Sequence, residues 1–306
     1  MAKNDVDVCV VTYKRLALLR GLLDSLGRQK LRGVRARIIV VDNDPEGSAR
    51  AVVKAFARKS RRPVVYDVEP TPGVSYVRNR ALAHVRAPYF AFLDDDETAH
   101  PDWLWTLLKA LQAHGADAAF GRVEMVFPEG TPSWARRFYL FHPSPTPTGT
   151  RVERGSTNNV LVRTAALGTP PLRFDPAFAW SGGEDTDFFF RLHLNGRRLI
   201  RCWEALVYDY WPLERLRAGW MCRRRFRAGQ NFTRVFVSRY STARKAFFVL
   251  KCLALLAAGS LSLPLAALFF PRRAVELLTR LCHVAGKLSA LLGSGAYSEA
   301  YRLGRG

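Results

Sequence analysis

Apolar and polar positions alternate along the first 115 residues in a pattern typical of buried strands separated by amphipathic helices. The apolar runs DVCVVTY, ARIIVVDND, RPVVYDVEP and APYFAFLDDDE predict four strands. Between them, KRLALLRGLLDSLGRQ, AVVKAFARKS and VRNRALAHV have apolar residues at helical spacing, and residues 102–114 predict a further helix. Strands that alternate with helices predict an α/β fold with a mostly parallel sheet, whose ligands bind at the carboxyl ends of the strands.

The pattern changes after residue 120. Residues 120–150 include FPEGTPSWARR and HPSPTPTGT, which are rich in proline, glycine and threonine. We expect a surface loop there rather than a core element, and it is a candidate lid on the acceptor side. Residues 156–213 return to a mixed α/β pattern.

The C-terminal region is apolar and helical in pattern. Residues 252–270, CLALLAAGSLSLPLAALFF, carry no charge over 19 positions and have basic residues on both sides. This length permits a transmembrane span, an interfacial or re-entrant hairpin, or a buried soluble hairpin. Residues 274–292 are amphipathic and suit a membrane surface. We expect an α/β catalytic domain over residues 1–230 and a helical, membrane-associating region over residues 231–306.

Charge and cysteine content narrow the class of protein. The chain has 47 Lys and Arg against 26 Asp and Glu, a net charge of +21, which fits a polyanionic partner without choosing among nucleic acid, anionic lipid and phosphate-bearing substrates. The five cysteines form no C-x-x-C pair, which argues against a disulfide framework or a zinc site and favours a reducing compartment. The first residues lack a signal-peptide pattern, so we do not expect export.

The segment FLDDDE places adjacent carboxylates at the end of an apolar strand. Adjacent aspartates repel one another unless a cation neutralises them, and carboxylate oxygens suit Mg²⁺ or Mn²⁺ bound to a diphosphate. Strand alternation would put Asp94 and Asp96 on one side and Asp95 on the other, so Asp96 is the stronger metal-ligand candidate. The alternative is an acidic solvated turn that caps the helix beginning near Asp102.

A second acidic segment, SGGEDTDFFFR, begins about 90 residues later. The glycines before Glu184 and Asp185, including Gly183, permit close approach of the backbone to a ligand, and one of the two carboxylates could accept a proton from an attacking hydroxyl. The alternative is a helix N-cap formed by Ser181 or Asp185. Two such acidic segments together favour a catalytic site.

Candidate acceptor contacts lie outside the two acidic segments. Trp180, next to GGED, could stack on a sugar, and the basic segment RRRFR, which contains Arg224, suits phosphate oxygens. A solvated helix face or contact with anionic lipid would also explain the arginines. The six histidines show no ligand spacing, and we assign none of them a role.

Taken together, these motifs resemble glycosyltransferase family 2, which has the GT-A fold. The resemblance covers about the first 230 residues and rests on VVTYKR, VVDNDP, GVSYVRNRAL, FLDDDE, STNNVLVR and GGEDTDFFFR in the family's order. Within the family, PGVSYVRN, FGRVEMVFPEGTPSW and RRRFRAGQ most resemble bacterial exopolysaccharide glucosyltransferases of the succinoglycan type.

This resemblance implies a donor-nucleotide site at the ends of the first strands. Thr12 and Tyr13 would line the nucleotide pocket, and Asp42 with Asn43 would bind the uracil edge. Arg78 would approach the donor diphosphate.

It also implies a metal site in FLDDDE. Asp94 would contact the ribose or sugar and share the metal with Asp96, and Asp95 is placed with the donor nucleotide. Many family members have a further histidine ligand some 20 to 25 residues after the base. Here that place reads VYDY, so Asp209 would substitute or the ligand would be absent.

For catalysis, the resemblance implies that Asp185 is the base and that Glu184 orients acceptor or donor sugar. We therefore predict an inverting, Mn²⁺- or Mg²⁺-dependent glycosyltransferase that moves a sugar, glucose by resemblance, from a UDP-sugar to a lipid-linked saccharide. It would act at the cytoplasmic face of a bacterial inner membrane, on the membrane surface and without nucleic acid.

Two other classes of function remain alternatives at this stage. A metal-dependent nucleotidyltransferase would need a glycine-rich loop after the first strand, which VVTYKRLALLRG lacks. A basic nucleic-acid- or lipid-binding protein would leave both acidic segments unexplained. The donor sugar, the acceptor and the linkage position stay open.

Overall fold

A computed structural model of the chain describes residues 4–136 and 145–293, which divide into two compact units. The first, the α/β unit, comprises residues 4–126, 145–179 and 184–210. The second, the helical unit, comprises residues 127–136, 180–183 and 211–293. The domain boundary expected at 230/231 stays a prediction; it would fall within a helix of the helical unit.

The α/β unit is built on one eight-stranded mixed sheet. Its described strands are β1 (Asp5–Thr12), β2 (Arg35–Asp42), β3 (Val64–Val68), β4 (Tyr89–Asp94), β5 (Glu97–Ala99), β6 (Ala118–Val126), β7 (Asn159–Arg163) and β8 (Leu199–Tyr210). They lie in the order β3-β2-β1-β4-β7-β6-β8-β5. Neighbours among β3, β2, β1 and β4 are parallel, whereas β7 is antiparallel to both β4 and β6.

Helices cover both faces of this sheet. They are α1 (Leu16–Gly27), α2 (Arg50–Lys59), α3 (Val74–His84), α4 (Trp103–Ala113) and α6 (Glu184–Leu194). Successive residues of a strand point to opposite faces, so Val8 and Val10 pack with α1 and α4, while Cys9 packs with the phenylalanines of β4 and α6. The four predicted strands, their intervening helices and the α/β fold class are confirmed.

The region after residue 120 differs from the expected surface loop. Strand β6 continues to Val126 and pairs in parallel with β8, with a register shift between Gly121 and Arg122. The loop therefore begins only at Phe127. Most residues of β6 from Gly121 to Val126 are only partly buried. This part of the strand therefore lacks the continuous apolar run that is typical of the central strands. Residues 137–144 of the expected loop lie outside the described residues.

The helical unit contains α5 (Ser133–Arg136), α7 (Ala218–Val235), α8 (Thr242–Phe269) and α9 (Pro271–Leu291). Helices α7 and α9 approach closely because Gly229 and Gly286 lack side chains: a Cβ on either would collide with the backbone of the other helix. A hydrogen bond also joins these two helices: Gln230 Nε2 of α7 donates to Ser289 Oγ of α9 over 3.1 Å.

Most of α8 is exposed. It spans 28 residues and is the one helix of the described residues that is long and apolar enough to cross a membrane. Its buried residues are Cys252 and Gly259, whereas its apolar residues Leu261, Leu265 and Leu268 are exposed. The arrangement leaves an apolar surface on the helical unit.

Candidate active site

The carboxyl ends of β1, β2 and β4 meet at one edge of the sheet. Thr12, the last residue of β1, is in register with Asp42, the last residue of β2, and Val11 is in register with Asp94 at the end of β4. Parallel neighbours bring side chains distant in sequence to a common edge. The sequence predicts the donor-nucleotide site at this edge.

Asp42 and Asn43, expected at the uracil edge, organise the turns around this edge. The Asp42 carboxylate is fully buried and accepts hydrogen bonds from the N–H groups of Asp44 and Ala49 and from the Tyr66 hydroxyl, at 2.8–3.0 Å. Asn43 Nδ2 donates to two backbone carbonyls of residues 69–71, and its Oδ1 accepts from an N–H at residue 73. Their binding of a base stays a prediction; their contacts hold the turns that follow β2 and β3.

The three aspartates of FLDDDE lie in three different surroundings. Strand β4 ends at Asp94, and Asp95 and Asp96 form a turn, so the alternation expected from an extended strand stops at Asp94. Asp95 is buried, accepts a 2.7 Å hydrogen bond from Thr12 Oγ1, and thereby ties this turn to the end of β1. Arg15 Nη1 lies 3.1 Å from Asp95 Oδ1 and 3.2 Å from Asp96 Oδ2.

Arg78 joins the two acidic segments. This buried arginine on α3 forms an ion pair with Glu184 of α6 through Nη1, and its Nη2 lies 3.4 Å from Asp94 Oδ1. Burial alone would lower the pKa of Arg78, but the charges of Glu184, Asp94 and Asp185 outweigh it and raise that pKa. The approach of Arg78 to the donor diphosphate, which the resemblance implies, stays a prediction; in the structure its guanidinium contacts carboxylates of β4 and α6.

Glu184 and Asp185 begin α6 but have different environments. Burial raises the pKa of Glu184, and its Oε2 has no hydrogen-bond partner among the described residues. Asp185 is half-buried, and its Oδ1 accepts from the N–H and hydroxyl of Thr186. Asp185 is therefore the more accessible member of the pair.

Glu97 is a site residue to which the sequence assigned no role. It follows the three aspartates directly, is buried, and accepts from the N–H of Asp94 over 3.1 Å through Oε2. Pairing of β5 with β8 sets Glu97 opposite Asp209, which brings the candidate third ligand toward FLDDDE. The sequence signal that could have identified Glu97 was its position directly after three aspartates.

The donor set fits a hard divalent cation by its chemistry. Burial, together with the charges of Asp96 and Asp95, raises the pKa of Asp94 to about 6 against the opposing effect of Arg78. Burial and the charges of Asp94 and Asp209 also raise the pKa of Glu97 well above its ordinary value. These pKa shifts reflect burial first and crowded negative charge second, and a cation would relieve the crowding. Within residues 4–136 and 145–293, however, no three His, Cys, Asp or Glu side chains are already gathered for a metal ion.

Four further residues were predicted to contact the donor or the acceptor: Tyr13, Trp180, Gly183 and Arg224. Tyr13 is half exposed beside Thr12. Trp180, Gly183 and Arg224 belong to the helical unit: Gly183 has a φ of 89° and packs against Asn231, and the Arg224 guanidinium lies 5.0 and 5.4 Å from the ring centroids of Trp211 and Trp220. Roles for these residues toward an acceptor stay predictions.

Comparison with protein families and relatives identifies the class. Residues 7–169 match the model of glycosyl transferase family 2. The succinoglycan biosynthesis protein ExoM of Rhizobium meliloti is 34% identical over 292 residues, covering 94% of this chain and 93% of ExoM. The validoxylamine A glucosyltransferase of Streptomyces hygroscopicus is 30% identical over 105 residues, 34% of this chain and 25% of that protein.

Solved structures share the fold. A mannosyltransferase of Pyrobaculum calidifontis, in complex with GDP-Man and Mn²⁺, matches with a TM-score of 0.67 and 19% identity over 94% of this chain and 87% of its own. A fragment of S. aureus TarS in complex with UDP-GlcNAc matches with a TM-score of 0.56 and 17% identity, over 98% of this chain and 92% of the fragment. This chain spans 55% of the longer TarS chain. The neighbours establish a GT-A-like fold.

Proposed function

Since the chain belongs to glycosyltransferase family 2, we propose that it transfers a sugar, glucose in the first instance, from a UDP-sugar to a lipid-linked saccharide with inversion of configuration. Family membership makes it a glycosyltransferase related to succinoglycan biosynthesis, and it decides against the nucleotidyltransferase and simple binding-protein alternatives. The finer statement draws on the relatives: ExoM acts in exopolysaccharide biosynthesis, and TarS binds UDP-GlcNAc.

The observation that carries the proposal is the link from Asp94 through Arg78 to Glu184. Three charged side chains from β4, α3 and α6 are held together at the carboxyl edge of the sheet, although burial of charge is costly. A structural salt bridge would need one carboxylate for one guanidinium. Asp185 directly follows Glu184, and Asp96 lies two residues after Asp94. The carboxylates at this edge of the sheet therefore outnumber the two guanidinium groups, Arg78 and Arg15, that contact them.

We assign the chemical steps to residues of this edge. Asp185 removes the proton of the acceptor hydroxyl, whose oxygen then attacks the anomeric carbon and displaces the nucleoside diphosphate in one step. The buried Oε2 of Glu184 accepts a hydrogen bond from a sugar hydroxyl, and Arg78 fixes this carboxylate in position. A divalent cation, when bound, neutralises the diphosphate leaving group, and the residues that would hold it are Asp94, Asp96 and Asp209.

The exposed apolar surface of the helical unit supports the proposal of a lipid-linked acceptor. Helix α8 exposes leucine and phenylalanine along a length of about 42 Å, at 1.5 Å per residue, and basic residues precede and follow it. Apolar area with flanking cations suits a membrane that carries anionic lipids. We place the reaction at the cytoplasmic face, where nucleotide sugars are made.

The test is a donor panel. Purified full-length protein is incubated with Mn²⁺ or Mg²⁺ and each of several UDP- and GDP-sugars, with a lipid extract as acceptor, and released nucleoside diphosphate and glycosylated lipid are measured. We expect release of UDP from UDP-glucose that depends on both cation and lipid. Release of GDP alone, or an equal rate in the presence of EDTA, contradicts the proposal.

A further inference from the structure

Arg15 contacts Asp96, one of the carboxylates that we assign to the metal, and its neighbour Asp95. Arg15 directly precedes α1, at the end of the segment VVTYKR, and was assigned no role from the sequence. Its Nη1 contacts carboxylate oxygens of Asp95 and Asp96 at 3.1 and 3.2 Å, while 44% of its side chain stays exposed. A single nitrogen of Arg15 thus bridges two adjacent acidic residues.

The two carboxylates that Arg15 contacts differ in burial and in their other hydrogen bonds. Asp95 is fixed by Thr12 Oγ1 and is 6% exposed, so its contact with Arg15 completes a buried hydrogen-bond network. Asp96 lies at the surface side of the turn, with 14% of its side chain exposed. The Asp96 contact is the one that a competing cation can replace without disturbing the core, because Asp95 keeps its bond to Thr12.

We propose that Arg15 is a built-in counter-cation: it neutralises Asp96 while the donor is absent, gives up that carboxylate to the divalent cation, and then binds the phosphates of the nucleoside diphosphate. This inference rests on the proposed function. Its consequence is thermodynamic. Cation binding alone must break an ion pair and is weakened, whereas the diphosphate offers Arg15 a new partner, so cation and UDP bind cooperatively.

Binding measurements on three variants of the full-length protein test this exchange. Arg15→Gln removes the charge, Arg15→Lys retains it, and Arg20→Gln removes an exposed charge of α1 outside the site as a matched control. Mn²⁺ binding is followed by the EPR signal of free Mn²⁺, first without nucleotide and then with saturating UDP. These readouts need no turnover.

We expect Arg15→Gln to bind Mn²⁺ alone about 2- to 5-fold more tightly than the parent, since the cation replaces one partly exposed ion pair, and such a pair shifts an equilibrium by up to about fivefold. UDP should enhance Mn²⁺ binding less in this variant, by about the same factor. Arg15→Lys should lie close to the parent, and Arg20→Gln should equal it. In thermal unfolding without Mn²⁺, Arg15→Gln should melt below the parent, and Mn²⁺ should raise its Tm by more.

Different results separate the two proposals. Equal or weaker binding of Mn²⁺ by folded Arg15→Gln, with parent binding intact, overturns the role of Arg15 and leaves the transferase proposal standing. Unchanged cooperativity between Mn²⁺ and UDP does the same. Absence of any Mn²⁺ and UDP binding by the parent protein overturns both.

Discussion

Single residues in the acidic segments differ in role although they are chemically alike. Asp94 pairs with Arg78, Asp95 is bonded to Thr12, and Asp96 contacts Arg15. Their surroundings, rather than their carboxyl groups, decide what each can do. Of the three, Asp96 is the one whose removal should affect cation binding with the least disturbance of the fold.

Asp96→Ala should abolish the Mn²⁺-dependent part of UDP binding, because it removes a charged oxygen ligand. Calorimetric titration with UDP, with and without Mn²⁺, measures this loss. Asp24→Ala, which removes an exposed carboxylate on α1, is the control and should bind as the parent does. Parent-like UDP binding by Asp96→Ala in Mn²⁺ would refute its role as a ligand.

Asp185→Asn should keep donor affinity and lose turnover by about 10²- to 10⁴-fold, because an amide of nearly the same shape is a poor base. Steady-state kinetics together with UDP-sugar titration separate these effects. Glu184→Gln is the comparison: it removes one of the two charged partners of the buried Arg78 and leaves the Asp94 carboxylate, so it should lower Tm and donor affinity as well. Turnover of Asp185→Asn within about tenfold of the parent would assign the base elsewhere.

At the scale of elements, strand pairing fixes where the acidic residues lie. Buried Asp7 on β1 accepts from Arg37 of β2 at 2.8 Å and from the N–H groups of Arg86 and Ala87 before β4. One carboxylate thus connects the three central strands at the sheet's amino edge. The candidate active site lies at the carboxyl ends of the same strands, so its geometry depends on this alignment.

Asp7→Asn should lower the free energy of unfolding at neutral pH by about 2–3 kcal/mol, through loss of charged hydrogen bonds. Burial alone would raise the pKa of Asp7, but its hydrogen bonds outweigh burial and hold the pKa below the ordinary value. The stabilisation is therefore present above the unfolded-state pKa and is lost as pH falls through the folded-state pKa.

Urea unfolding of parent and Asp7→Asn between pH 7 and pH 3 measures the difference. The gap between them should be widest at neutral pH and should narrow in acid. Asp24→Asn, on the exposed face of α1, should show no such gap. A constant difference at every pH would mean that Asp7 stabilises the fold by packing and not by its charge.

At the scale of the whole molecule, the helical unit combines close packing with an exposed apolar surface. Helices α7 and α9 cross at two glycines, and Lys287 of α9 lies 4.5 Å from the ring centroid of Phe232 on α7. Removing α9 would expose that packing. Substitutions on the outer surface of α8 therefore test membrane contact better than truncation does.

The double substitution Leu261→Glu and Leu265→Glu should release the protein from vesicles of phosphatidylethanolamine and phosphatidylglycerol in a flotation assay. Both side chains are exposed, at 79% and 63%, and each leucine buried in lipid is worth about 1.5–3 kcal/mol. Leu194→Glu, at an exposed leucine of α6 in the α/β unit, is the control and should still float. Flotation of the double variant at parent level would exclude the α8 surface as the anchor.

The amino-acid sequence by itself determined the α/β class, the central strands and the two acidic segments, because each depends on local periodicity or on adjacent residues. The runs that end at Asp42 and Asp94 are continuous and apolar, so their strands were predictable. Residues 122–126 of β6 were not predictable as a strand, since these partly exposed residues are held in strand conformation by pairing with β8. Asp209 was found only by resemblance.

Only the tertiary structure decided how these groups are partnered. Contacts of Arg15 with Asp96, of Arg78 with Glu184 and of Glu97 with Asp209 join positions 81, 106 and 112 residues apart in the sequence. No local pattern encodes such separations, because they follow from strand order and register. The sequence thus supplied the carboxylates, while the order of β1, β4 and β8 in the sheet decided which cation or carboxylate each one faces.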